Sequence, residues 1–156
     1  MSRTSAEAPP VVEVLLTNQP KERQRLAALL ETFAHEQRLP AAVLQAADLA
    51  LEEHLTNVMS YGYTGAGRHE ILVRLQVKEG WLLVEVSDDG EAFNPLERPP
   101  ADLSLPLEQR PIGGLGVHLM RQYMDDLAYE RVAGRNVLRM KKRVSRYLEA
   151  GCQPDQ

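Results

Sequence analysis

Cysteine is all but missing from this chain. Among 156 residues only Cys152 carries a thiol, so no disulfide can close within it and no cysteine cage for zinc exists. A reduced, cytoplasmic setting is the expectation. Long apolar runs are missing too: no stretch of about eighteen apolar residues occurs, so no membrane-spanning helix is predicted. Residues 1–10 are polar, end in Pro9-Pro10 and have no apolar signal-peptide core, so they read as a flexible leader. Nor is there an excess of cations. Lys and Arg number 18 against 22 Asp and Glu, a formal charge of -4. That argues against a dedicated nucleic-acid binder, because such proteins displace counterions with net positive charge. His35, His54, His69 and His118 stand at no ligand spacing with cysteine or acid, so no histidine-built metal site is expected.

Hydrophobic residues make up 44% and charged residues 26%, a balance that at this length supports one domain around a single core. Residues 11–16 are rich in branched apolar side chains and predict a first strand. Asn18-Gln19-Pro20 marks a helix start, and Leu26, Leu29, Leu30 and Phe33 then recur at helical spacing to about Arg38. Leu39-Pro40 ends that helix and opens a second over residues 40–60. On the second helix Leu44, Ala47, Leu51, Leu55 and Val58 form a stripe predicted to face the core. Ala46, Ala50, Glu53, Asn57 and Ser60 form another stripe, roughly opposite. A glycine-rich turn follows at residues 61–67.

Residues 71–77 and 81–87 alternate as strands and are predicted to form a hairpin over Lys78-Glu79-Gly80. If Leu82, Val84 and Val86 face the core, Asp88 shares their parity and points inward at the rim, where a carboxylate needs a partner. Residues 93–112 are irregular and rich in proline, and a loop of that length inside a small domain is commonly functional. Gly116, Leu119, Met120, Tyr123 and Leu127 predict a third amphipathic helix. Residues 128–132 and 136–142 predict a closing hairpin across Ala133-Gly134-Arg135. Arg135, Arg139, Lys141, Lys142, Arg143 and Arg146 make a basic stretch, read as a solvated strand and helix face. The expectation is an α+β fold: a two-layer α/β sandwich over residues 11–143, with one mixed sheet, helices on one face and a tail at 144–156.

Three short patterns carry chemistry. Glu53 and Asn57 lie one turn apart on one helical face. A glutamate there is suited to take a proton from a hydroxyl, and an asparagine carbonyl is a neutral oxygen ligand for a magnesium ion that also binds phosphates. Taken alone, the pair reads first as a solvent-facing one. Asp88, with Gly90 after it, is suited to accept a hydrogen bond from an exocyclic amine such as that of adenine, with glycine allowing positive φ and close approach of a ligand. Alone, it is an ordinary turn. Gly113-Gly114-Leu115-Gly116 opens the third predicted helix, where bare backbone N–H groups suit phosphates. It is neither a Walker A loop nor a dinucleotide fingerprint, since no Gly-Lys-Ser/Thr follows and no strand precedes.

In this order, helix Glu-x-x-x-Asn, strand Asp-x-Gly and loop Gly-Gly-x-Gly-helix, the chain resembles the GHKL superfamily of ATP-binding domains. Within it, residues 47–57 and 113–121, and Met124-Asp125-Asp126 before a strand, look most like the bacterial anti-sigma-factor serine kinases. The resemblance spans about residues 11–143 and implies a Bergerat-type ATP-binding fold with ATP and Mg2+ as cofactors. It implies that Glu53 is the general base, Asn57 the Mg2+ ligand and Asp88 the acceptor of the adenine amine with Gly90 beside it. It implies that Gly113, Gly114, Leu115 and Gly116 form the phosphate-binding end of an ATP lid over residues 93–112. Ala92 stands where many relatives have a second glycine. The implied activity is serine phosphorylation of a STAS-domain antagonist, with partner switching onto a sigma factor or other client. A homodimer is implied, without nucleic acid or membrane. The alternative is an ATP-binding regulatory interaction module without kinase activity. A histidine-kinase catalytic domain would need a phospho-accepting helix pair before Val11, and a gyrase-type ATPase a transducer after Arg143; neither is expected.

Overall fold

Period-two alternation decides the centre of the molecule. In a computed structural model, which describes residues 10–63, 67–97, 106 and 120–144, Ile71, Val73 and Leu75 face the same side as Leu82, Val84 and Val86, and each is at most 1% exposed. Burying such side chains contributes about 1.5–3 kcal/mol apiece. The elements run β1 (Val12–Thr17), α1 (Glu22–Glu36), α2 (Ala41–Tyr61), β2 (Glu70–Lys78), β3 (Trp81–Asp88), a 3-10 turn (Pro95–Glu97), β4 (Asp126–Val132) and β5 (Arg135–Arg143). The strands order as β1-β2-β3-β5-β4 in one sheet. Its inward face meets α1 and α2 in one core that includes Leu16, Leu30, Phe33, Leu51, Leu55 and Leu138. The two-layer α+β sandwich expected from the sequence is the observed fold.

Every described pairing is antiparallel, where a mixed sheet was expected. The reason lies in the connection after β3. It leaves the sheet at Asp88, and β4 begins at Asp126 opposite Lys141, which itself faces Leu83 nearer the other end of β3. The chain therefore returns along the length of the sheet before the β4–β5 hairpin reverses it. Both hairpins turn on two residues of positive φ, Glu79 (54°) with Gly80 (82°) and Ala133 (49°) with Gly134 (76°), which is the two-residue turn whose twist matches that of the strands.

Helix α1 stops where Arg38 adopts φ 54°. Leu39 N–H then bonds Ala34 O at 2.8 Å and Arg38 N–H bonds His35 O at 3.2 Å, a Schellman closure with a non-glycine residue in the left-handed position. Pro40 follows at once as the N-cap of α2. The burial of α2 corrects the two-stripe expectation. Val43, Ala46, Ala47, Ala50, Leu51, His54, Leu55, Asn57 and Val58 are all buried. The two predicted stripes are the flanks of one broad sheet-facing arc, and His54 sits near its middle at about 100° per residue. The small alanines allow the close approach of helix to sheet.

Two further expectations change. Of the third predicted helix, residues 120–123 are described and helical, and Leu127 belongs to β4. Met124 N–H makes the last helical bond, to Met120 O at 2.9 Å, and Asp125 N–H already bonds Lys141 O at 2.9 Å. Leu127 keeps helical spacing with Tyr123 by coincidence; its partner across the ladder is Met140. The basic stretch is also not simply a solvated face. Lys142 is 8% exposed and donates to Tyr123 O at 2.6 Å, a cation at a helical C-terminus. Arg139 belongs to a charge ladder that crosses the helix-free face, Glu13–Arg74–Glu85–Arg139–Glu130, with one residue from each strand. These pairs are largely exposed and each contributes little alone.

Candidate functional site

Four residues of α2 and its exit form one wall. Glu53 is half-buried, while His54 and Asn57 are each 3% exposed. Among the described residues, His54 Nδ1, Asn57 Nδ2 and the Tyr63 hydroxyl are buried without a hydrogen-bond partner. Polar atoms left so cost about 1–3 kcal/mol each, and such groups are rare in folded proteins unless something else meets them. Burial pushes the His54 imidazole down to about 4, so it is neutral at neutral pH. Burial, followed by the nearby charges of Asp88 and Asp89, pushes the Tyr63 phenol well above its ordinary value.

The second wall, beside the exit of α2, is the end of β3. Asp88 is 2% exposed, on the parity that the alternation predicts. Its Oδ1 accepts two hydrogen bonds, from Gly90 N–H at 2.9 Å and from Asn136 Nδ2 at 3.0 Å. No donor among the described residues reaches Oδ2. Burial raises the Asp88 carboxyl above the usual carboxylate range, while the bonds from Asn136 and Gly90 and the charge of Arg135 pull it back. Arg135 itself lies along the strand end, with Nε on Ser87 Oγ at 2.8 Å.

The two walls are joined. Glu91 N–H donates to Gly62 O at 2.9 Å, so the exit of α2 is bonded to the turn after β3. A Cβ at Gly90 would lie 2.4 Å from Gly62 O. This corrects the expected reason for glycine at that position: the described positive-φ glycines are Gly80 and Gly134, and Gly90 is required by close approach. Asn57 precedes Gly62 by five residues of helix, about 8 Å along the axis. Beside the junction, the Tyr63 ring stacks on His69 at 4.0 Å, and His69 Nδ1 lies 3.3 Å from Asp89 Oδ1.

Asn136 is the residue that the sequence reading missed. It faces Asp88 across the β3–β5 ladder and is 5% exposed. Only the strand register brings it there, so no local pattern marks it. Ala92 is exposed on the turn beyond Gly90. Gly113, Gly114, Leu115 and Gly116 lie outside the described residues, as does most of 93–112. A cavity of about 520 Å³ opens on the helix-free face among Glu13, Arg74, Glu85 and Arg139. The cations and acids of the ladder are already paired there, and Asp88 does not line it.

The donor set fits a nucleotide and its ion. An acceptor with an oxygen unbonded among the described residues (Asp88), a buried carboxamide whose nitrogen has no described partner (Asn57) and a half-buried carboxylate one turn before it (Glu53) are groups of the kinds that would suit an exocyclic amine, a divalent ion and a proton respectively. Among the described residues no group of three His, Cys, Asp or Glu could hold a metal unaided. Mg2+ in this place would draw on phosphate and water oxygens, its habit in nucleotide sites.

Comparison with known proteins bears on the family and the fold. Residues 16–142 match the family described as histidine kinase-like ATPase domain. The chain is 29% identical over 109 residues to the serine/threonine-protein kinase BtrW of Bordetella bronchiseptica, covering 70% of this chain and 77% of that one. It is 34% identical over 97 residues to the serine-protein kinase RsbW of Bacillus thuringiensis, covering 60% of each. A crystal structure of the RsbU and RsbW domains of a Mycobacterium tuberculosis protein superposes with a TM-score of 0.63 at 15% identity, over 86% of this chain and 32% of that one, which supports the fold. With residues 16–142, most of its length, matched by that model, the chain belongs to the histidine kinase-like ATPase domain family.

Proposed function

We propose that this protein is an ATP-dependent serine/threonine protein kinase of the anti-sigma type. The observation that carries the reading is a buried carboxylate beside the exit of a helix: Asp88 with Oδ2 unbonded among the described residues, and, on the helix whose exit is tied to the turn after it, Asn57 buried with its amide nitrogen unmet. ATP supplies the transferable phosphoryl group, and Mg2+ neutralises its charge. Asp88 accepts the amine of adenine at Oδ2. The Asn57 carbonyl holds the ion, and Gly113, Gly114, Leu115 and Gly116 offer backbone N–H groups to the phosphates. Glu53 takes the proton of a serine hydroxyl brought by a partner.

The partner proposed is a small STAS-domain antagonist, and the protein switches between it and a sigma factor or similar client according to the antagonist's phosphorylation. Two of the relatives it matches are named serine or serine/threonine-protein kinases, which supports transfer to a hydroxyl. The protein is proposed to work in the cytoplasm as a homodimer; no described helix is long and apolar enough to cross a membrane.

The test is labelled ATP with Mg2+ and candidate STAS-domain proteins, comparing wild type with Glu53→Ala. Transfer by wild type and a loss of at least about a hundredfold in the variant supports the kinase. Nucleotide binding with no transfer to any antagonist would instead make the protein a regulatory interaction module. Absence of Mg-ATP binding by the folded protein defeats both.

A further inference from the structure

Among the described side chains near the site, Asn136 is held by bonds at both ends of its carboxamide. Its Nδ2 donates to Asp88 Oδ1 at 3.0 Å and to Glu91 O at 2.8 Å, with Gly90 O at 3.5 Å. Its Oδ1 accepts from Phe93 N–H at 3.1 Å and from the Tyr129 hydroxyl. A backbone N–H can only donate, so Phe93 dictates which end of the carboxamide is oxygen. The nitrogen end is thereby turned to Asp88. Arg131, from β4, fastens the same turn by donating to Gly90 O at 2.8 Å.

We propose that Asn136 is a positioning residue that keeps Asp88 a hydrogen-bond acceptor and aims its free oxygen at the ligand's exocyclic amine. The inference rests on the nucleotide reading of the site. Asn136 does not meet the ligand; its donors are engaged by the protein. It acts through Asp88 in two ways. A donor on Oδ1 favours the ionised carboxylate, and fixing Oδ1 leaves Oδ2 as the ligand-facing atom. The same side chain anchors the turn that leads into residue 93, so the base-reading group and the root of the following segment share one support.

The charged and titratable groups around Asp88 set the background. Asp89 lies on the same chain turn, Tyr63 comes from the exit of α2, and Arg135 stands beside Asn136 on β5. Burial, and after it Asp89, favour the neutral carboxyl; Asn136, Gly90 N–H and Arg135 favour the anion. Removing Asn136 tips that balance toward the neutral acid. A neutral carboxyl can donate, so it no longer demands an amine and accommodates the ring carbonyl that inosine carries in the amine's place.

The experiment measures Mg-ATP and Mg-ITP affinity from pH 5 to 8.5 by calorimetry, for wild type, Asp88→Asn, Asn136→Ala and Asn136→Asp. Asn136→Asp keeps the size and the acceptor for Phe93 and Tyr129 while losing every donor. The expected result is a strong ATP preference in wild type that is lost in Asp88→Asn. Both Asn136 variants should lose ATP-over-ITP preference by about tenfold, with the acid limb of ATP affinity moved to higher pH. Wild-type preference and an unmoved acid limb in a folded Asn136 variant would overturn the inference while leaving the site reading intact. Asp88→Asn binding ATP as wild type does would overturn the site reading itself. Failure of both Asn136 variants to fold would overturn the inference by making the residue a requirement of the fold.

Discussion

The backbone of Glu91 is bonded to the backbone of Gly62 at 2.9 Å. One hydrogen bond thus closes the gap between the helix that carries Glu53 and Asn57 and the turn that follows Asp88. No side chain takes part, and Gly90 sits in the narrowest place.

Gly90→Ala should therefore separate the walls. The added methyl would lie 2.4 Å from Gly62 O and 2.9 Å from Asp88 Oδ1; the first is backbone and the second is a buried oxygen held by two hydrogen bonds. The expected cost is about 1–3 kcal/mol in urea unfolding, with at least tenfold weaker Mg-ATP binding by calorimetry. An unchanged affinity would show that the junction does not shape the site.

Asn57→Ala should leave stability nearly unchanged. The Asn57 amide nitrogen has no partner among the described residues, so its removal orphans no described acceptor. The melting temperature without ligand is expected to stay within a few degrees of wild type, while Mg-dependent ATP binding disappears. A large loss of stability without ligand would make Asn57 a structural residue instead.

His54 supplies a pH signature. Its imidazole titrates near 4 in the folded chain instead of near 6.5 because burial excludes the charge. The folded-state value lies below the unfolded one, so the unfolded chain binds the proton first as pH falls. Its contribution is intact above pH 6.5, declines as pH falls toward 4, and changes no further below that. The total loss is on the order of 3 kcal/mol. Urea unfolding at pH 7.5 and 4.5 should show a smaller difference for His54→Leu than for wild type; equal differences would place the imidazole outside the core.

Ala133 offers a gain. It holds φ 49° at the first position of the β4–β5 turn, where an L-residue without a short polar side chain pays about 1–2 kcal/mol. Ala133→Asn should raise the melting temperature, since Asn-Gly suits this turn. An unchanged or lower melting temperature would mean that the turn relaxes at no cost.

Local chemistry made much of this visible early. Alternation in residues 71–88 marked a half-buried hairpin and pointed Asp88 inward, and the structure keeps both. The period-two and period-3.6 signals act over a few residues, so they survive without knowledge of neighbours. Where they failed, a neighbour decided. Leu127 had helical spacing, yet Asp125 joins β5 and carries it into a strand. Ala46 and Ala50 looked like a shallow outer face until the sheet was laid against them.

The order of Glu53, Asn57, Asp88, Gly90 and Gly113-Gly114-Leu115-Gly116 along the chain carries the resemblance to an ATP-binding superfamily, and the helix turn and the strand end within it present their side chains by local geometry. What the chain order could not hold is the meeting of distant residues. Asn136 reaches Asp88 only because β5 pairs beside β3 in one register, and Gly90 needs its missing side chain only because Gly62 O closes upon it. Backbone period belongs to neighbouring residues, whereas register and close approach belong to the packed whole.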